Sequence, residues 1–161
     1  MHRGEESEVH SPKRSAKEKF LIRPATLADA QQLASLAGQL GYASTPEQVA
    51  SRFREIAGER EHLLLVAEDS AGALAGYIEI SPFRTIGADP RIEIVSLVVD
   101  ESCRSQGVGR LLMEHAEEWG RANGFAEAGL RSNVIRERAH TFYEKLGYRV
   151  NKTQKSFRKK L

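Results

Sequence analysis

The sequence contains one cysteine among 161 residues, and this scarcity excludes an internal disulfide. We therefore expect Cys103 to be incidental and the chain to work in a reducing cytoplasm. The histidines and the cysteine show no metal-ligand spacing, so no metal is expected. No apolar run approaches the ~20 residues of a membrane span, which argues against a membrane partner. The formal net charge of +2 is too small to indicate nucleic-acid binding.

The start of the chain also has almost no large apolar residues. Residues 1–18 are mostly Ser, Glu, Lys and Arg, a composition typical of a disordered tail and without the apolar core of a secretory signal. The whole chain has 40% hydrophobic and 29% charged residues, which is ordinary for a globular protein. We expect one domain over residues 19–161.

The apolar spacing of this region alternates between strand and helix patterns. Strands are predicted where short apolar runs are bounded by turn residues, at 20–23, 63–67, 74–80, 92–99, 126–130, 148–150 and 156–161. Helices are predicted where apolar residues recur every three or four positions: after Thr26, after Thr45, at 107–123 and at 135–146. Thr45, Pro46 and Gln48 form a capping-box signal. The order of elements predicts an α/β (α+β) domain with one mixed sheet.

The stretch 82–90 is predicted to be irregular. It contains two prolines, a glycine and an aspartate between two strand-like runs. A loop of this length could shape a binding mouth.

A glycine-containing loop lies between strand 92–99 and helix 107–123. It reads Arg104-Ser105-Gln106-Gly107-Val108-Gly109. Glycines at the head of a helix let an anion approach the free N–H groups and the positive end of the helix dipole. The same glycines are equally compatible with a tight turn. A P-loop is excluded because no Lys-Ser/Thr follows, and a dinucleotide fingerprint is excluded because Leu112 stands at its third glycine.

The loop and a later block together resemble the GNAT superfamily of N-acetyltransferases. The superfamily pattern Arg/Gln-x-x-Gly-x-Gly/Ala is matched by Arg104, Gly107 and Gly109, after the family-like strand 94–99. The later block runs from Asn133 to Tyr148 and contains Ala139, Phe142-Tyr143 and Leu146-Gly147-Tyr148. The resemblance covers roughly residues 20 to 161. Within the superfamily, the chain is most similar to small-amine enzymes such as aminoglycoside or aminoalkylphosphonate N-acetyltransferases.

The resemblance implies a fold and a cofactor. The expected fold is a mixed, mostly antiparallel sheet of about six or seven strands flanked by about four helices. The expected cosubstrate is acetyl-CoA, with its pyrophosphate on the loop and its pantetheine arm along the strand. The implied cofactor-binding residues are Leu97, Val98, Val99, Arg104, Ser105, Gln106, Gly107, Val108, Gly109, Arg110 and Asn133. Asn133 could equally cap the following helix.

The resemblance also implies catalytic roles. Tyr143 aligns with the general acid that protonates the departing thiolate, although its spacing also fits a core aromatic residue. Glu93 is our candidate for the general base, because an acidic residue near the start of this strand is common in the family. Glu79 and water are the alternatives, and either glutamate could be a surface residue. His115 and His140 lie on amphipathic helices and are interpreted as packed or surface residues.

The expected reaction is transfer of acetyl from acetyl-CoA to a primary amine of a small molecule, by direct attack in a ternary complex. Two alternatives stay open. The acceptor could be a protein lysine or N-terminus, or the chain could be a non-catalytic acyl-CoA-binding regulatory module, since a fold does not fix a function. A homodimer also stays open, because dimers are frequent in this superfamily.

Overall fold

A computed structural model describes residues 14–161, which contain five strands and five α-helices. The strands are β1 (Phe20–Pro24), β2 (Leu63–Asp69), β3 (Leu74–Thr85), β4 (Ala88–Val99) and β5 (Ala128–Leu130). The helices are α1 (Ala16–Lys19), α2 (Ala30–Gln39), α3 (Pro46–Ala57), α4 (Val108–Ala122) and α5 (Glu137–Lys145). The chain divides into two compact units, one ending at Gly129 and one spanning Leu130–Leu161.

The five strands form one sheet in the order β1-β2-β3-β4-β5, and the first three pairings are antiparallel. The predicted α/β class and the largely antiparallel sheet are therefore confirmed. The longest pairing joins β3 to β4, which are connected only by Ile86 and Gly87. Ile80 pairs with Ile94 and Glu79 with Ser96, so Val95 is the extra residue of a β-bulge.

The prediction of a loop at 82–90 is wrong, because these residues complete the β3–β4 hairpin. Pro82 pairs with Ile92, and Phe83 pairs with Arg91. The Arg91 guanidinium lies 4.0 Å from the centre of the Phe83 ring, a cation–π contact across the two strands. Local composition suggested a loop, but cross-strand contacts stabilise extended backbone here.

Helices cover both faces of the sheet in the first unit. On one face, Leu33 and Leu36 of α2 pack with Val66, Tyr77 and Val98. On the other face, α4 approaches so closely that a β-carbon on Gly120 would lie 2.9 Å from Ile92 Cδ1. Because side chains alternate along a strand, residues 79, 81 and 93 share the α2 face with Tyr77.

Arg23 connects β1 to the start of α2. Its guanidinium donates to both carboxylate oxygens of Asp29, at 2.8 Å each, and also pairs with Glu68 of β2. Asp29 is only 4% exposed and also accepts from the Thr26 N–H at 2.7 Å. Thr26 precedes the 3₁₀ turn Leu27–Asp29 that leads into α2, so the ion pair fixes where this helix begins.

Several predicted boundaries are confirmed. Thr45 caps α3 through its side chain, and Gln48 returns the bond to the Thr45 N–H, which completes the predicted capping box. The helices predicted at 107–123 and 135–146 are α4 and α5 with slightly shorter bounds.

Two further expectations differ from the structure. The sheet has five strands rather than six or seven, because residues 148–150 and 156–161 form no strand. Their apolar side chains, Val150 and Phe157, are 75% and 87% exposed, so no burial stabilises an extended segment. Residues 1–13 of the predicted disordered tail 1–18 lie outside the described residues. Near the end of that tail, Ala16–Lys19 form the single helical turn α1, which brings the described helices to five where about four were expected.

The second unit, Leu130–Leu161, contains the end of β5 and α5. Phe142 and Tyr148 both pack edge-on against Tyr143, with ring centres 5.2 and 6.0 Å away. Gly147, with φ +93°, ends the helix. None of the helices within residues 14–161 has the length and apolar content needed to cross a bilayer.

Candidate active site

The turn after β4 is held in place from α2. Asp100 follows the last residue of β4, and its carboxylate accepts from the N–H of Ser102 at 2.9 Å. Gln39, the last residue of α2, donates from its side-chain amide to Asp100 at 2.9 Å and accepts from the Glu101 N–H at 3.0 Å. The half-buried Cys103 ends this turn, and its N–H donates to the Asp100 carbonyl at 2.9 Å. The segment entering the predicted cofactor loop therefore has a defined path.

The loop itself is exposed and passes twice through left-handed backbone. Ser105 has φ +63° and Gly107 has φ +84° before α4 begins at Val108. A β-carbon disfavours that region, which makes glycine the natural residue at 107. Gly107 provides no side-chain cap, so the first N–H groups of the 15-residue α4 have no partner within the helix. This end can therefore bind an anion such as a pyrophosphate.

The other predicted loop residues surround this helix start. Arg104, Ser105, Gln106 and Arg110 are exposed, whereas Val108 and Gly109 are buried. The Arg104 guanidinium lies 3.8 Å from the Glu101 carboxylate, an exposed pair that leaves the cation accessible. The helical turn α1 lies beside the loop, since a β-carbon on Gly107 would approach Ala16 Cβ to 3.2 Å.

The predicted pantetheine-binding backbone is at the end of β4. Leu97, Val98 and Val99 pair with residues 78, 77 and 76 of β3 along one edge. The neighbour on the other edge, β5, is three residues long, against twelve for β4. The Ile92 N–H donates to the Glu127 carbonyl at 3.0 Å, near the beginning of β4. Leu97–Val99 lies beyond that contact, toward the predicted cofactor loop.

Glu93, the predicted base, is buried beside an arginine. It is 6% exposed, and its carboxylate lies 3.4 Å from Arg91 Nε. A β-carbon on Gly129 would come within 2.7 Å of Arg91 Nε and 3.2 Å of the Glu93 carboxylate. Glycine at 129 thus permits β5 to approach the pair.

Glu79, the alternative base, lies in a different environment on the same face. One carboxylate oxygen is 2.8 Å from His62 Nε2, and the other accepts from the Ser96 hydroxyl at 3.2 Å. His62 Nδ1 is 3.2 Å from the Glu59 carboxylate. Burial raises the pKa of the Tyr77 phenol on the same face, and its interaction with the Ser96 hydroxyl acts in the opposite direction.

Sequence reasoning missed His62. The residue directly precedes β2, where Leu64 pairs with Glu79, so the antiparallel register brings the imidazole to the carboxylate. That register depends on residues far apart in the chain. A signal would have been visible only after β2 and β3 had been paired correctly.

Tyr143 and Asn133 belong to the second unit. Burial raises the pKa of the Tyr143 phenol, while the positive charge of Arg136 lowers it. Asn133 does not cap α5, whose N-cap is Arg136, so that interpretation is wrong. Its side-chain oxygen instead accepts from the Ile135 N–H at 3.2 Å, in a turn before the helix.

Both helix histidines contact backbone carbonyls. The His140 Nε2 is 3.0 Å from the Asn133 carbonyl. The His115 Nδ1 is 2.9 Å from the Leu111 carbonyl. These contacts fit the packed or surface roles predicted for them. Across residues 14–161, no three His, Cys, Asp or Glu side chains are grouped as metal ligands would be.

The sequence matches a known family and a bacterial relative. Residues 29–148 match the family model described as Acetyltransferase (GNAT) family. The Bacillus subtilis (strain 168) protein described as "Uncharacterized N-acetyltransferase YhdJ" is 30% identical over 93 residues, which cover 57% of this chain and 66% of that protein. The match thus spans slightly under two thirds of that relative.

Two solved structures share the fold over most of the chain. Glucosamine-6-phosphate N-acetyltransferase from Arabidopsis thaliana is 25% identical, with a TM-score of 0.74 over 86% of this chain and 97% of that one. Aminoglycoside N-acetyltransferase AAC(6')-Iy, solved in complex with CoA, is 19% identical, with a TM-score of 0.77 over 88% of this chain and 95% of that one. At 19% identity, the second likeness shows the fold alone.

Proposed function

This chain belongs to the acetyltransferase (GNAT) family, and we propose that it transfers an acetyl group from acetyl-CoA to a primary amine of a small molecule. The observation that carries the proposal is the loop 104–110. Residues 104–107 form an exposed turn with left-handed backbone at Ser105 and Gly107, and residues 108–110 begin a long helix, all inside the region that matches the family. Its N–H groups and Arg104 would bind the pyrophosphate of the cosubstrate.

The end of β4 would position the thioester. An N–H of Leu97–Val99 would donate to the thioester carbonyl and stabilise the negative charge that develops there as the amine attacks. The C–N bond forms as the C–S bond breaks, and the amine loses one proton while the thiolate gains one. Tyr143 is our proposed donor of that second proton, because a phenol whose pKa is raised by burial is protonated at neutral pH.

Two glutamates remain candidates for the group that takes the amine proton, and their contacts favour Glu79 over Glu93. Glu93 precedes Leu97 by four residues, about 13 Å of extended strand. Glu79 is paired with Ser96, the immediate neighbour of Leu97. Glu93 is also buried against the Arg91 guanidinium, whereas Glu79 contacts an imidazole and a hydroxyl. The assignment to Glu93 stays a prediction that kinetics can test.

A small amine is the acceptor class that the comparisons favour. The Arabidopsis relative is described as acting on glucosamine-6-phosphate, an amino sugar, and its fold is shared over most of the chain. A protein lysine or N-terminus remains the alternative acceptor.

The deciding experiment measures CoA release from acetyl-CoA across small amines, amino sugars, polyamines, aminoglycosides and peptides, together with acetyl-CoA binding by calorimetry. Release with one small-amine class supports the proposal, and release only with peptides moves the acceptor to proteins. Binding of acetyl-CoA without release for any acceptor would indicate a non-catalytic module. Absence of binding would refute the proposal.

Tyr143→Phe tests the proposed acid. We expect kcat to fall about 100-fold or more, with the KM for acetyl-CoA changed less than about threefold, because a general acid acts in the transition state. Tyr148→Phe is the matched control, since it removes a hydroxyl from the ring packed against Tyr143. Equal losses in the two variants, or an unchanged rate in Tyr143→Phe, would remove this role.

A further inference from the structure

We propose that His62 is a positioning residue that orients Glu79 and releases a proton to solvent when Glu79 takes one from the acceptor amine. This inference rests on the proposed function and deepens it. It assigns a role to a side chain that the sequence motifs do not include.

The groups form a chain of contacts from the sheet face to the surface. Ser96 on β4 contacts Glu79 on β3, Glu79 contacts His62 before β2, and His62 contacts Glu59 after α3, with distances of 3.2, 2.8 and 3.2 Å. Side-chain exposure is 24% for Glu79, 10% for His62 and 63% for Glu59. The imidazole therefore lies between a largely covered carboxylate and one in solvent.

The number of hydrogen bonds that the His62 ring can donate depends on whether the ring is protonated. Each ring nitrogen faces a carboxylate oxygen, and an ionised carboxylate can only accept. A neutral imidazole has one N–H and can donate to only one of them, whereas the protonated ring donates to both. The nearby carboxylate of Glu61 is paired with Arg84 at 2.7 Å, so it has a cation of its own.

The proton transfer balances without added charge in the site. Before transfer, Glu79 is a carboxylate and His62 carries both N–H groups. The amine proton then moves to the Glu79 oxygen that faces Ser96, while the Nδ1 proton of His62 leaves to Glu59 and water. The Nε2–H contact with Glu79 is kept throughout. The pair is net neutral before and after, which avoids leaving an uncompensated charge in a partly buried place. After product leaves, the Glu79 carboxyl loses its proton to water and Nδ1 is reprotonated from solvent.

The first test compares His62→Gln with wild type in the CoA-release assay. A glutamine amide can still donate to Glu79 but cannot exchange a proton at a second nitrogen. We expect kcat to fall about 10- to 100-fold with little change in KM. This loss is at or below the roughly 100-fold lower end for removing a general acid or base, because Glu79 itself is retained. Glu79→Gln should lower kcat at least as much as His62→Gln does. The double variant should have the same kcat as Glu79→Gln alone, because the two residues act as a unit. An unchanged kcat in His62→Gln would overturn the inference.

The second test separates proton transfer from packing. His62→Ala is assayed with added imidazole and methylimidazoles of differing basicity, and its thermal stability is measured alongside. Rescue of kcat that varies with the pKa of the added base supports the relay, since packing alone has no such dependence. Absence of rescue in a folded His62→Ala variant would refute it. Wild type lacking turnover with every amine would instead refute the proposed function.

Discussion

Replacement of Arg23 by methionine should destabilise the protein strongly, because it leaves the buried carboxylate of Asp29 without its cationic partner. The change removes both 2.8 Å hydrogen bonds to Asp29 and leaves that carboxylate, in a side chain 6% exposed, with only Thr26 as a partner. Breaking a buried pair on one side typically costs about 3–5 kcal/mol. Because the Arg23 side chain is 26% exposed, we expect the low end, about 3 kcal/mol. At about 2–4 °C per kcal/mol, Tm should fall by roughly 6–12 °C.

Urea and thermal unfolding, followed by circular dichroism at pH 7, measure this loss. The matched control is the double variant Arg23→Met/Asp29→Asn, which removes both charges and retains an oxygen able to accept from the Thr26 N–H. It should be more stable than Arg23→Met alone by at least about 1 kcal/mol, since no charge is then buried unpaired. A loss below about 1 kcal/mol in Arg23→Met, or a double variant less stable than the single one, would refute the reasoning.

The same pair predicts a pH dependence. Hydrogen bonds from Arg23 hold the pKa of Asp29 below its ordinary value, although burial opposes this. The native state thus binds fewer protons here than the unfolded chain. The contribution is therefore present above the unfolded pKa of about 4 and is lost as the pH falls through the lower native value. The stability gap between wild type and Arg23→Met should shrink below about pH 4.

Two glycine substitutions test the backbone proposed to bind acetyl-CoA. Gly107→Ala places a β-carbon at φ +84° and 3.2 Å from Ala16, so the KM for acetyl-CoA should rise about tenfold with a loss of only about 1–2 kcal/mol in stability. Gly124→Ala, with the same φ of +84° and open space around it, is the control, and equal KM changes in both would contradict the loop assignment. Gly76→Ala would overlap the Val98 carbonyl, so it should lower stability by about 1–3 kcal/mol and reduce acetyl-CoA binding by displacing β4. Gly58→Ala is the control, because a β-carbon there would make only an ordinary contact at 3.8 Å, and it should change neither stability nor acetyl-CoA binding. Unaltered acetyl-CoA affinity in Gly76→Ala would contradict the proposed role of the β4 backbone in binding the cosubstrate.

Local signals in the sequence predicted the elements that local interactions stabilise. The Thr45 capping box and the glycine at the start of α4 involve residues within four positions of each other, so one short segment carries the whole signal. The strand before that glycine is likewise a single apolar run.

Features that depend on distant pairing could not be predicted in the same way. The hairpin through 82–90 is stabilised by cross-strand contacts such as Arg91 on Phe83, and its prolines and glycine suggested a loop. His62 reaches Glu79 only through the β2–β3 register. The strands expected at 148–150 and 156–161 lack burial in the structure, and apolar spacing alone does not reveal whether a partner strand exists.

Cys103 is a natural site for attaching a reporter group to this protein. As the one thiol of the chain, half-buried and directly before Arg104, it offers a labelling site beside the loop without any engineered substitution. The emission of a fluorophore attached to Cys103 should change when acetyl-CoA binds at the loop. Alkylation of the Cys103 thiol should also become slower if the bound ligand shields the turn. The same thiol adds up to one equivalent of background per chain to any colorimetric reading of released CoA, so that blank should be titrated on the enzyme alone.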